Sequence, residues 1–418
     1  MAHHPDTSLS GPLVSLAPVQ LAVSSDSDAE IVAEIHEHQV PAFAVEALDS
    51  LYGSLYASYA HLRLCEADMV MPHTWLGYQR GKIAGVLLFR MESDRVLVLT
   101  EMFQLDAAIA ASFCRTLLAR YRKPHAIVFN AIGMDAPKAL FSFPRQYFAF
   151  SENYVIDLPD SVGAYHRLLG KSTRKTLAGY GNRLRRDYPE FKWTACDAAE
   201  LPLQEQHALV VQLQAFKQAS MAARGKRAQI DVQDTARMLT MASQSGLFGL
   251  GMVNGKLCAG SLACRIGDNY VMLLCAVDPV LSAHRLGLLS CYWAICDCIQ
   301  RSGRQCHLLW GRYQYKEQLL AKPQVLYQLK IYRSRWHMMR NPGAVVRMAL
   351  KGWRYRLRSW MLNELPQRQD VPSRWLMSGI AGLRRNNVSI DRQTVLNALR
   401  RVKSSLMGIF GGIYFRRS

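Results

Sequence analysis

The sequence predicts an α/β (α+β) protein made of two similar repeats and a basic helical C-terminal region. Three observations support this fold class. Half of the 418 residues are apolar and 20% are charged, which is enough for a large core. One order of strands and helix occurs twice, about 175 residues apart. Most of the net charge of +19 lies at the C-terminal end.

Each repeat begins with a predicted β-hairpin and continues through a third strand, a helix and a fourth strand. Arg80-Gly81 and Asn254-Gly255 supply the positive-φ residues that a tight hairpin turn needs. The predicted segments of the first repeat are 76–90, 95–100, 107–121 and 126–129. Those of the second are 250–265, 269–275, 285–300 and 307–310. This common order favours a duplication over two unrelated hairpins.

The charge and composition predict four segments along the chain. Residues 1–30 are rich in Ser, Pro and Asp, which predicts poor order. The first repeat takes residues 31–153 and the second takes 154–332. Residues 333–418 hold 18 Lys and Arg against 3 acids, so they form a basic, Trp-rich appendix. This excess of cations predicts an anionic partner. Nucleic acid, an anionic bilayer surface and a phosphorylated ligand all fit.

Other sequence features bear on metal, compartment and membrane. The ten Cys show no C-x-x-C pair, so we expect buried thiols in a reducing compartment and no metal. The first residues lack a basic and an apolar signal region, and no run of about 18–20 apolar residues occurs. We therefore expect a cytoplasmic protein without a membrane span.

A basic segment, 165–188, lies between the predicted strands and helix of the first repeat and those of the second. Its apolar residues fall at helical spacing, with Lys and Arg between them. This pattern predicts one helix. The cations are typical either of a solvated face or of a face beside an anionic ligand.

The segment from Asn269 to Lys316 carries the candidate chemistry. A strand ending at Val277 leads through a loop containing Arg285 and Gly287 into a helix, and such a helix N-terminus can bind a pyrophosphate. After the strand 307–310, Tyr313 and Tyr315 would point the same way if the chain is extended. Tyr can donate a proton and Lys316 can pair with an anion, although the residues by themselves favour a packed aromatic pair beside a surface Lys.

The run from about 154 to 333 resembles the acetyltransferase domain of the cellulose-biosynthesis (CelD/BcsL) type. That domain is a branch of the GNAT superfamily, related to FemAB-like aminoacyltransferases. The matching motifs in this sequence are Lys171-Ser-Thr-Arg-Lys175, Arg224-Gly-Lys226, Val253-Asn-Gly-Lys-Leu-Cys-Ala259, the loop at Leu286-Gly287 in place of the family's Pro-Gly-x-x-Leu loop, and Gly311-x-x-x-Tyr-Lys316. The resemblance implies tandem GNAT-like units, each a mixed, mostly antiparallel sheet flanked by helices, with a degenerate first unit.

The same resemblance implies acetyl-CoA or another acyl-CoA as co-substrate, and no metal. The candidate residues for coenzyme A binding are Leu274, Ala276, Val277, Arg285, Leu286, Gly287 and Leu288. The candidate catalytic residues are Tyr313 or Tyr315 as acid, Asp278 or His284 as base, and Lys316. The family's pattern has Pro where Leu286 stands and an acid in the strand that here reads His307-Leu-Leu-Trp310.

The appendix has three interpretations. Trp interleaved with Arg at helical spacing in 345–362 suits a helix on an anionic membrane surface. A helical subdomain with basic solvated faces, or nucleic-acid binding, also fits. Residues 406–415 are apolar but too short to span a bilayer.

The leading expectation is an acyl-CoA-dependent N- or O-acyltransferase that acts on a cell-envelope or exopolysaccharide precursor at the inner face of the cytoplasmic membrane. The alternatives are an aminoacyl-tRNA-dependent FemAB-like transferase, with tRNA as partner, and an inactive GNAT-like protein of envelope-stress or antimicrobial-peptide resistance. The missing acid before Trp310 favours the inactive protein.

Overall fold

A single twelve-stranded sheet organises the chain. The computed structural model describes residues 31–65, 71–134, 143–223, 225 and 232–361. The strands are β1 (Ile31–His36), β2 (His73–Gln79), β3 (Lys82–Met91), β4 (Arg95–Val98), β5 (Ala126–Ile132), β6 (Arg145–Asp157), β7 (Lys192–Asp197), β8 (Gly246–Val253), β9 (Lys256–Ile266), β10 (Asn269–Val277), β11 (Gln305–His307) and β12 (Lys322–Tyr332). Their spatial order is β1-β2-β3-β4-β5-β12-β6-β11-β10-β9-β8-β7.

Helices flank the sheet. They are α1 (Ala42–Tyr52), α2 (Tyr59–Cys65), α3 (Ala107–Arg120), α4 (Val162–Leu168), α5 (Lys171–Asp187), α6 (Leu203–Ala222), α7 (Val232–Ser245), α8 (Leu286–Gln300), α9 (Gln314–Gln318), α10 (Arg335–Met339) and α11 (Pro342–Ser359). Short 3₁₀ turns occupy Leu55–Ala57, Ala198–Glu200 and Pro279–His284. None of the helices in the described ranges is both long and apolar enough to cross a membrane.

The two repeats exchange their last strands. The first repeat contributes β1–β5 to one half of the sheet, and that half is completed by β12 from the second repeat. In the other half, β7–β11 are completed by β6 from the first repeat. In both halves the fourth and fifth strands are parallel and the other pairs are antiparallel. The predicted fold of tandem α/β repeats is therefore confirmed.

The two hairpins have the predicted turns. Arg80 and Gly81 have φ of 52° and 74°, and Asn254 and Gly255 have φ of 50° and 75°. Two successive residues with positive φ give a turn whose twist matches that of the flanking strands. The register shift between Gly77 and Tyr78 in the first hairpin has a counterpart between Gly251 and Met252 in the second.

One long apolar helix covers each half of the sheet. In the first half, α3 inserts Phe113 among Trp75, Phe89 and Phe129, with each ring pair 5.6 Å apart and edge to face. In the second half, the buried side chains of α8 pack in a cluster that includes Tyr165 and residues of α5. Helices α6 and α7 cover the opposite face of the second half through a separate cluster.

The structure differs from the predicted elements at several points. The segment 165–188 is not one helix, because Leu169 is extended and Gly170 is the N-cap residue of α5, which begins at Lys171. Strand β11 ends at His307 rather than at residue 310.

The segment boundaries stay a prediction. The proposed division between residues 153 and 154 falls inside β6. By its internal contacts the chain forms one compact body up to Gly352 and another from Trp353. Of the second body the structure describes residues 353–361, which continue α11 to Ser359. The expectations on residues 1–30, on Arg224 and Lys226 and on 362–418 lie outside the described residues.

Candidate functional site

A gap opens in the second half of the sheet where β10 and β11 separate. The two parallel strands pair only from Asn269 to Val271. Beyond that point β10 continues to Val277, whereas the chain after β11 follows β6. Leu308 N–H donates to Tyr154 O at 2.7 Å, and Tyr154 N–H donates to Leu309 O at 3.1 Å. The second part of β10 therefore has an edge that faces this gap.

The register of β10 shows which backbone groups face the gap. Asp278 N–H donates to Cys258 O on β9 at 2.8 Å. Since hydrogen-bonded pairs alternate along an antiparallel ladder, the backbone groups of Ala276 and Leu274 also point toward β9. Those of Val277 and Cys275 point into the gap. Of Leu274, Ala276 and Val277, the three residues predicted on this strand, only Val277 presents its backbone to the gap. Sequence reasoning missed Cys275, because the pairing register with β9 decides which alternate residues of β10 face the gap.

The gap ends at the N-terminus of α8. Arg285 is the N-cap residue, with φ of 46°, and its side chain makes no capping hydrogen bond. Leu286 and Leu288 are buried in the core. Gly287 has a φ outside the left-handed range, and a Cβ there would meet only Val277 Cγ2, at 4.0 Å. What Gly287 provides is therefore space above the helix terminus rather than unusual backbone freedom.

The two residues predicted as the catalytic base, Asp278 and His284, lie beside the N-terminus of α8. Asp278 accepts a hydrogen bond from Val280 N–H at 3.0 Å and so caps the turn that follows β10. His284 is buried, and its Nε2 lies 2.9 Å from Asp187 Oδ2 at the end of α5. The pKa of Asp187 is lowered to about 2, mainly by the hydrogen bond with His284 and to a smaller extent by the hydrogen bond from Arg186. The pair ties the basic helix α5 to the loop before α8.

The predicted tyrosines lie at the other end of the segment. They are not side by side on an extended chain, because Tyr313 is the N-cap residue of α9 and Tyr315 lies within it. Their rings stack at 5.9 Å with an interplanar angle of 23°. The residue is 37% exposed, yet desolvation of its hydroxyl raises the pKa of Tyr315 far above its usual range, and the nearby thiols of Cys291 and Cys275 raise it further. The Tyr315 hydroxyl is therefore a neutral proton donor next to β10 and α8.

Lys316 is buried rather than exposed at the surface. Its residue is 2% exposed, and its Nζ donates to the carbonyl oxygens of Leu308, Leu309 and Trp310 at 2.8, 3.1 and 2.9 Å. Burial lowers the pKa of the ammonium to about 8. The three bonds hold the strand end that diverges from β10.

The equivalent place in the first repeat is closed. After β4 the chain stays paired with β5, through hydrogen bonds of 2.8 Å from Met102 N–H to Ala131 O and from Gly133 N–H to Phe103 O. Asp106 caps α3, and its carboxylate accepts from Ala108 N–H at 2.8 Å and from Ile109 N–H at 3.1 Å. A carboxylate of the chain therefore occupies the position that an external anion would take.

A second concave surface lies in the described part of the chain. A cleft of about 470 Å³ lies at the opposite end of β10, where Tyr270, Arg265, Arg301 and Asp197 line it. Its Arg301 is already paired with Asp197 at 2.9 Å. Among the described residues, no group of three or more His, Cys, Asp or Glu side chains is arranged to hold a metal ion.

The sequence of the second repeat matches a known family. Residues 171–317 match the family model described as acetyltransferase (GNAT) domain. The match covers α5 through most of α9, and so includes the gap, the N-terminus of α8 and Lys316. It supports a GNAT-type transferase, whereas the narrower CelD/BcsL resemblance stays a prediction. A search of curated proteins finds no match.

Several solved structures are similar to this chain at low sequence identity, and FemX has the fold in common with it. FemX matches with a TM-score of 0.52 and 10% identity, over 71% of this chain and 96% of that chain. L-PGS from Bacillus licheniformis matches with a TM-score of 0.39 and 11% identity, over 64% and 86% of the two chains. A tandem GNAT protein from the clavulanic acid biosynthesis pathway matches with a TM-score of 0.34 and 9% identity, over 62% and 82%.

Proposed function

We propose that the second repeat is an acyl-CoA-dependent N- or O-acyltransferase, with its donor bound in the gap between β10 and the chain after β11. The observation that carries this proposal is the separation of β10 from β11 after Val271, which exposes strand edge leading to an open helix N-terminus. The match of residues 171–317 to the GNAT family supports the reaction class.

The donor would bind along the strand edge and end at the helix. The amides of the pantetheine arm hydrogen-bond to the backbone groups of Cys275 and Val277, which face the gap. The pyrophosphate lies at the first N–H groups of α8, where the helix dipole and the Arg285 cation favour negative charge. Gly287 leaves space for the phosphates, and the His284–Asp187 bond holds the loop in place.

The chemistry would occur near Tyr315. The acceptor amine or hydroxyl attacks the thioester carbonyl, the C–S bond breaks, and the thiolate leaves with a proton from the Tyr315 hydroxyl. The position of this residue supports the role, because Tyr315 lies close to Cys275 on β10. Asp278 and His284 both lie at the phosphate end, so the base that deprotonates the acceptor stays unassigned. The resemblance to envelope enzymes suggests a cell-envelope or exopolysaccharide precursor as acceptor.

Calorimetric titration with coenzyme A tests the donor site. The variant Gly287→Val fills the space above the second residue of α8, and we expect it to lower the affinity at least tenfold. Ala108→Val is the matched control, because Ala108 is the second residue of α3, in the repeat whose site is closed by Asp106. It should leave the affinity unchanged, and both variants should melt like the parent protein.

The same experiment separates the alternatives. Equal affinity of the parent and Gly287→Val for coenzyme A would remove the proposed site. Salt-sensitive binding of tRNA on filters, without binding of coenzyme A, would favour the aminoacyl-tRNA-dependent transferase. Binding of neither molecule, with no release of free coenzyme A from acetyl-CoA, would favour the inactive protein.

A further inference from the structure

Helix α11 has an apolar side that faces away from the protein. Val346 and Leu350 lie one turn apart on the helix and are 54% and 50% exposed. Met348 and Gly352 are offset from them by two residues, which is about half a turn, and both are buried. The pair Val346 and Leu350, called the outer stripe below, is therefore on the side of the helix opposite to the packed side.

The packed side explains how the helix is held. A Cβ at Gly352 would lie only 2.6 Å from the Phe148 side chain, so the helix backbone lies directly against β6. Gln146 Nε2 on the same strand donates to Val345 O at 2.9 Å. Because this side is already fixed to the sheet, the outer stripe is not needed to attach α11.

The surroundings of the outer stripe are cationic. Between Arg333 and Ser359 the sequence has eight Lys and Arg residues and no Asp or Glu. Arg347 and Lys351 each follow a stripe residue directly and are exposed. On the preceding helix α10, Trp336 and Met339 are 66% and 65% exposed. Exposed apolar side chains bordered by flexible cations are typical of a helix that lies in the interface of an anionic bilayer.

We propose that the outer stripe of α11, with Arg347 and Lys351 beside it, docks this protein on an anionic lipid bilayer. Val346 and Leu350 would enter the boundary between headgroups and acyl chains, while the two cations remain at the lipid phosphates. A nucleic acid would use the cations but would gain nothing from exposed Val and Leu, so the apolar pair favours lipid. The proposal is independent of the donor site, because the stripe lies on another element.

Vesicle flotation of the full chain tests the apolar part. We expect the parent protein to float with phosphatidylcholine vesicles containing about 30% phosphatidylglycerol, and much less with pure phosphatidylcholine. The double variant Val346→Ser/Leu350→Ser should lose about tenfold or more in partitioning. The matched control is Val211→Ser/Leu203→Ser, which removes the same two side-chain types from exposed positions of α6 and should float like the parent.

A second variant tests the charges. Arg347→Gln/Lys351→Gln should lower partitioning on anionic vesicles by about fivefold per charge and lose its effect in high salt. Flotation of the stripe variant at the parent level would overturn the proposal, as would failure of the parent to float. A change from dimer to monomer in the stripe variant, measured by light scattering, would assign the stripe to a second copy instead. RNA binding without vesicle binding would assign the cations to nucleic acid.

Discussion

Acidification should destabilise this fold through His307, the last residue of β11 before the gap. The ring is buried, and its Nδ1 lies 3.0 Å from Asn153 Nδ2 on β6. Its Nε2 is also buried and has no hydrogen-bond partner among the described residues. Protonation would therefore create a buried cation with no acceptor at one nitrogen. Burial accordingly lowers the pKa of His307 from 6.5 to about 4.

The direction and size of the effect follow from proton linkage. Between pH 6.5 and 4 the unfolded chain holds a proton at His307 that the folded protein does not hold. The free energy of unfolding therefore falls as the pH falls through this range, and the full stability is present above it. For pKa values of 6.5 and about 4, the loss between pH 7 and pH 5 is about 2 kcal/mol.

The substitution His307→Gln isolates this effect. Gln keeps a group that can bond to Asn153 but cannot take up the proton, so its loss of stability on acidification should be about 2 kcal/mol smaller than that of the parent. Urea titrations at pH 7 and pH 5 measure the difference. The control His207→Gln, at an exposed position of α6, should behave like the parent. Equal losses in His307→Gln and the parent would refute the argument.

Three further outcomes are expected. Tyr315→Phe should lower kcat about a hundredfold with little change in KM, and an unchanged kcat would remove Tyr315 as the acid. Asp106→Ala should lower the free energy of unfolding by about 1 kcal/mol in urea titrations, because two N–H groups of α3 lose their cap, while coenzyme A affinity stays the same. Gly352→Ala should cost about 1–3 kcal/mol because its Cβ meets Phe148, whereas Gly343→Ala on the same helix meets nothing and should not destabilise.

The sequence predicts the individual strands and helices of this fold better than it predicts which strands pair with each other in the sheet. The turns at Gly81 and Gly255 and the helix that follows each hairpin are local features, and they appear where residue type and periodicity place them. The exchange of β6 and β12 is not local. Both strands could pair within their own repeat, and only the tertiary register shows that Tyr327 of β12 lies opposite Ile132 of the first repeat.

In the candidate site, too, the local features are predictable from the sequence and the features that depend on tertiary pairing are not. The helix N-terminus at Arg285 is predictable, because it depends on a loop and a periodic helix in sequence. The residues of β10 that present their backbone to the gap, Cys275 and not Leu274, are decided by the pairing of β10 with β9. The burial of Lys316 depends on three carbonyls of a strand end. A Lys side chain in sequence favours the surface, and nothing local indicates that such acceptors surround it.

The comparison of the two repeats explains why one donor site is expected rather than two. A duplication produces two strand edges and two helix N-termini, each of which attracts an anion. In the first repeat, pairing continues from Phe103 to Gly133 and the Asp106 carboxylate takes the anion's place. In the second, Lys316 holds the diverging strand end away from β10, and the corresponding cap residue is the cation Arg285. An anion would therefore be repelled by the Asp106 carboxylate at α3 and attracted by the Arg285 cation at α8. We expect the coenzyme A titration to show one bound donor per chain.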